Sequence, residues 1–158
     1  MLRSLLVCMT MLLAIPALAE PKGFGAGIII GEPTGLTVKK FQGRGNALDG
    51  AVAWSTGDHE AFHLHGDYLF NRYDIIRAKG ISGALPVYYG IGATLWTYDH
   101  DHKHHHDESG AGVRFPLGLA WLAPRAPFEA FFELVPQMNL VPDTDFDLDA
   151  AIGARFYF

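Results

Sequence analysis

From Phe24 to Phe158 apolar residues alternate with small or polar ones, the period of two that a β-strand with one greasy face produces. Helical spacing is poor, and glycines interrupt most windows. The pattern predicts eight strands, at residues 24–31, 36–42, 47–55, 61–70, 87–97, 113–123, 128–136 and 146–158. In the first, Phe24, Ala26, Ile28 and Ile30 oppose Gly25, Gly27 and Ile29. In the last, Phe146, Leu148, Ala150, Ile152, Ala154, Phe156 and Phe158 oppose Asp147, Asp149, Ala151, Gly153, Arg155 and Tyr157. Turn-forming clusters at 32–35, 43–46, 56–59, 124–127 and 142–145 separate neighbours. Two connections are longer: a Gly- and charge-rich stretch ending near Pro86, into which the fourth strand is free to run as far as Ile76, and a polar stretch at 98–112.

Alternation alone does not say which face meets solvent. Asp49, His63, His65, Asp67, Arg114, Glu129, Glu133, Asp147, Asp149 and Arg155 all fall opposite the apolar residues. A soluble barrel turns such charges outward; a membrane barrel turns them in. Three features favour the membrane arrangement. The uncharged members of the polar face are mostly Gly, Ala, Ser and Thr, as a narrow eight-stranded interior requires. Aromatics such as Trp54, Tyr68, Phe70, Trp121, Phe156 and Phe158 lie near strand ends, as interfacial girdles do. Most strands approach the roughly 9–11 residues that cross a bilayer. An open sheet edge in hydrocarbon leaves backbone groups unpaired, so the sheet must close. The expected fold is all-β, an eight-stranded antiparallel up-and-down transmembrane β-barrel with both termini on one side.

The first residues change the picture of where this barrel resides. Met1-Leu2-Arg3 is a positive start, an apolar run follows to Pro16, and Ala17-Leu18-Ala19 is a small-x-small site. This reads as a secretory signal peptide over 1–19, leaving a barrel domain at 20–158. The run is shorter than the roughly 20 residues of a spanning helix. Cys8 lies inside it, which argues against a lipoprotein, and it is the chain's one cysteine. The barrel must therefore hold together without disulfides. Only 18% of the 158 residues are charged, with a formal net charge of −5. The acidic balance and the absence of a basic cluster argue against nucleic acid as a partner.

The ending Ala151-Ile152-Gly153-Ala154-Arg155-Phe156-Tyr157-Phe158 is similar to the last strand of small eight-stranded bacterial outer-membrane barrels of OmpA-like and OmpX-like architecture. Residues 27–36 (GIIIGEPTGL), 63–70 (HLHGDYLF), 89–93 (YGIGA) and 141–146 further resemble an uncharacterised small outer-membrane barrel family. The resemblance implies an outer-membrane location, outer-membrane lipid as surroundings, and recognition of the strand ending in Phe158 by the barrel-assembly machinery. It implies no activity. In such barrels the turns on the terminus side are short, and 71–85 departs from that.

Two constellations carry candidate chemistry. Asp99, His100, Asp101, His102, His104, His105 and His106 form a histidine- and carboxylate-rich stretch. Its imidazoles suit Zn, Cu or Ni, and would gain charge in mild acid and adhere to anionic surfaces. Its bland alternative is a solvated rim loop. His63, His65 and Asp67 share one strand face. They suit metal ligation or acid–base work as a catalytic group, with Ser55 and Thr94 as the nearby hydroxyls, and a lipid-A-modifying enzyme is the corresponding alternative. Their bland alternative is a paired network of lumenal charges, joined by Lys39, that leaves no open pore. The favoured reading is a non-enzymatic outer-membrane barrel with a structural or surface-interaction role and no cofactor. A soluble periplasmic barrel or lipocalin-like binder is the third possibility.

Overall fold

The computed structural model describes residues 23–43, 45–55, 60–99 and 108–158. The segment 1–19 and His100, Asp101, His102, His104, His105 and His106 lie outside the described residues. The strands are β1 (Phe24–Gly31), β2 (Gly35–Phe41), β3 (Asn46–Ser55), β4 (Glu60–Arg72), β5 (Val87–Asp99), β6 (Glu108–Arg114), β7 (Leu117–Leu122), β8 (Phe128–Val141) and β9 (Asp145–Tyr157). Every pairing is antiparallel, and β9 pairs with β1 to close the sheet on itself. No helix among the described residues is long and apolar enough to cross a membrane.

After a register shift between Ala111 and Gly112, β6 and β7 keep one register against β8, Arg114↔Gln137 continuing as Leu117↔Leu134. They are one stave of an eight-membered ring, interrupted at Phe115-Pro116. Pro116 has no N–H to give the ladder, although its carbonyl still accepts from Gly90 N at 2.9 Å. On the other seam, facing β8, the Pro136 carbonyl accepts from Phe115 N at 2.8 Å. Its missing donor thus falls at the same break, and β8 runs through to Val141 instead of stopping at 136. The sixth predicted strand, 113–123, likewise begins earlier, at Glu108. The stretch Ser109-Gly110-Ala111-Gly112 has no large apolar residue to signal it. β4 stops at Arg72 and does not extend to Ile76.

The faces fall as the alternation predicts. Leu148 is 61% exposed and Ile28 52%, whereas Arg114 is 1% exposed and Glu129 0%. The interior is filled by pairing large against absent side chains. Tyr88 lies across from Gly118, Trp96 from Gly110, Phe131 from Gly153 and Tyr157 from Gly25. A Cβ on any of these four glycines would overlap the facing ring. A fifth inward ring, Phe41, lies across from Ala47. Four of the five aromatics lie over a neighbour's bare backbone and the fifth over an alanine, which lets a narrow barrel hold them all.

The rim bearing Gly23 and Phe158 also carries the connections after β2, β4 and β7. The opposite rim carries those after β1 and β8, and the ends of β3, β5 and the start of β6.

Candidate functional site in the barrel interior

Most of the inward charges fall in two clusters, each built round an arginine. In the cluster nearer the termini, Arg155 on β9 is register-paired with Gly27 on β1, and Gly27 in turn with Thr37 on β2. With no side chain at Gly27, the guanidinium passes over β1. Its Nε and Nη2 donate to Thr37 Oγ1 at 3.1 and 2.7 Å. Nη2 also donates to both Asp49 oxygens at 2.9 Å, and Nη1 to Glu129 Oε1 at 2.9 Å. The Phe131 ring lies 3.9 Å from the guanidinium carbon. Lys39 Nζ donates to Glu129 at 3.1 Å between the rings of Phe41 and Tyr88. The Tyr157 hydroxyl also donates to Glu129. One arginine, one lysine and two carboxylates thus neutralise one another with their hydrogen bonds largely met, the condition under which buried charge is tolerated.

The second cluster repeats the device. Arg114 on β6 is paired with Gly92 on β5, and Gly92 with Asp67 on β4. Arg114 Nε lies 3.1 Å from Asp67 Oδ1, and Nη2 lies 3.5 Å from Glu133 Oε1. These are charge contacts without hydrogen-bond alignment, since none of Nε, Nη2 and Asp67 Oδ1 makes a hydrogen bond. Tyr88 donates to Glu133 Oε2 at 2.9 Å. His65 Nε2 stands 3.9 Å from Asp67 Oδ2. This second cluster is the less tightly knit of the two, and the one the histidines border.

Of the residues singled out for chemistry, His65 and Asp67 are buried side by side, and His63 is half-buried on the same face nearer the rim opposite the termini. Thr94 is buried directly across from His65. Ser55 ends β3, and its side chain lies outside the described part. Asp147 accepts from Asn139 Nδ2 at 2.8 Å, and Asp149 is half-buried on the same face. Asp99 ends β5. Among the described residues no group of three metal-ligating side chains is assembled. The sequence reading passed over Thr37, Tyr88, Tyr157 and Asn139. Thr37, Tyr88 and Tyr157 have the inward parity of their predicted strands, which was the available signal, whereas Asn139 lies past the predicted end at 136; which charge each would meet depends on register.

No protein-family model matches the chain, and no curated relative matches it in sequence. Among solved structures it is similar to the N-terminal β-barrel domain of Pseudomonas aeruginosa OprF, with a TM-score of 0.60 and 14% identity over 85% of this chain and 95% of that one. At that identity the likeness is one of fold, and the OmpA-like barrel architecture expected from the sequence holds at that level.

Proposed function

We propose that this chain is an integral outer-membrane β-barrel with a structural or surface-interaction role, exported by its first 19 residues and closed inside by paired charges. The observation that carries the reading is the inversion of its faces. Ile28, Leu64, Leu95, Leu148, Ile152 and Phe156 stand exposed round the wall while Lys39, Arg114, Glu129 and Arg155 are sealed within it. A continuous outward apolar belt in water is an aggregation hazard; in lipid it is the required surface. The soluble or lipocalin-like alternative needs those residues inside.

Fractionation on a density gradient tests the reading. The chain is expected with the outer membrane, released only by detergent and migrating faster unheated than boiled on a gel. Recovery in the periplasm without detergent refutes it. A lipid-modifying role is disfavoured because His65 and Asp67 face the barrel axis, away from acyl chains, and Asp67 is already engaged by Arg114. Replacing His63 and His65 with Ala is expected to leave lipid A composition unchanged; an altered composition restores the enzyme.

A further inference from the structure

β4 and β5 stay paired down to Arg72↔Val87 on the terminus-side rim, yet the chain does not turn there at once. Residues 73–85 form a lobe, and its return end is fixed. Trp121 Nε1 donates to the Ser82 carbonyl at 2.9 Å, and Ala84 and Leu122 bond each other at 2.8 and 3.1 Å. Gly83, at φ +106°, approaches the Leu122 carbonyl too closely for a side chain. Trp121 shares the outward parity of Leu117 and Leu119. Its bond to Ser82 therefore holds the return end of the lobe on the outer side of the wall.

The lobe's composition is that of neither a solvated turn nor a core. Ile75, Ile76 and Ile81 are exposed, as is Tyr73. Arg77 and Lys79 are interleaved with the isoleucines and are also exposed. Arg72 donates to Asp74 at 3.1 and 3.0 Å, and that contact holds the Asp74 carboxyl below the usual carboxylate range. Asp74 is thus occupied, and it is the lobe's single acid. Lys40 and Arg125 are exposed on the same rim, whereas Glu32, Asp143 and Asp145 are exposed on the opposite one. Among the described residues the barrel is polarised, basic at the terminus side. Just above the lobe lies an aromatic band: Phe70 packs on Tyr68 and Tyr89 at 5.2 and 5.5 Å, and Trp121 on Phe128 at 6.3 Å. Such bands mark the level of the headgroups.

We propose that residues 73–85 are an interfacial anchor, with Ile75, Ile76 and Ile81 seated among the headgroups of the terminus-side leaflet and Arg77 and Lys79 on the phosphates of anionic phospholipid. Apolar residues alternating with cations at this level are the chemistry of a segment that lies in an interface. The proposal rests on the membrane reading above, and the test separates the two.

The full chain carrying Cys8→Ser takes single cysteines at Ile76, Ile81, Leu95 or Asp143. Each is labelled with a polarity-sensitive fluorophore and refolded into phosphatidylcholine vesicles with or without phosphatidylglycerol. Lipids brominated near the headgroup or deep in the chain serve as quenchers. Labels at 76 and 81 are expected to be quenched by the shallow bromines, 95 by the deep ones and 143 by neither. Phosphatidylglycerol is expected to raise quenching at 76 and 81, and Arg77→Gln with Lys79→Gln to abolish that rise. Water-exposed labels at 76 and 81 beside a deep label at 95 overturn the anchor and leave the membrane reading standing. A water-exposed label at 95 overturns the membrane reading itself. Labels at 76 and 81 that are dry but unquenched by lipid, and change with protein concentration, assign the lobe to a second copy of the chain and also overturn the proposal.

Discussion

Arg155 shows how one residue fixes the interior. It bridges Thr37, Asp49 and Glu129 from three other strands, and Phe131 stacks against it. Arg155→Met keeps most of the side chain's bulk and removes the charge. Glu129 retains Lys39 and Tyr157, but Asp49 keeps only the Gly50 N–H and the Thr37 hydroxyl. Stranding a buried carboxylate in this way costs about 3–5 kcal/mol. The expected result is a lower urea midpoint for the barrel in detergent micelles. Adding Asp49→Leu should recover part of the loss, because an uncharged side chain at that place needs no partner. If Arg155→Met alone leaves the midpoint unchanged, the cluster is not a source of stability.

At the scale of elements, the glycines do more than shape turns. Gly118 is the floor on which Tyr88 lies, and Tyr88 in turn donates to Glu133. Gly118→Val displaces the ring and with it that hydrogen bond, whereas Tyr88→Phe removes the bond alone. The bond is worth about 1.5–3 kcal/mol where the acceptor is charged, so Gly118→Val should lower the micelle unfolding midpoint further than Tyr88→Phe. Equal midpoints would mean the packing contributes nothing. Such pairs also mark where the sequence stops being legible. Alternation gave β1 to its bounds and β2 to β5 and β9 within a few residues, because each has large apolar side chains on one parity. It failed where that signal vanishes, as at Ser109 to Gly112, and where Pro136 reads as a stop although its missing donor falls at an existing break. That Gly27 and Gly92 are the bare crossings for Arg155 and Arg114 depends on cross-strand register, which no single strand encodes.

At the scale of the whole molecule, what matters is whether the two clusters leave a path along the axis. Arg155 joins β9 to β2 and β3, Arg114 joins β6 to β4 and β8, and the rings of Phe41, Tyr88, Phe131 and Tyr157 stand beside them. An eight-stranded ring is only wide enough for its own side chains to fill. An ion crossing it would have to part paired charges in a poorly hydrated space and replace contacts that each group now makes with the protein. The wild-type barrel in a planar bilayer is therefore expected to show no discrete conductance steps at neutral pH. Replacing Glu129 and Arg155 together with Ala removes one charge of each sign, keeps the interior's net charge and opens the tighter cluster, and small steps should then appear. Stable wild-type steps would mean that water already threads the clusters, and the closed interior would have to be abandoned while the inverted faces of the wall remained.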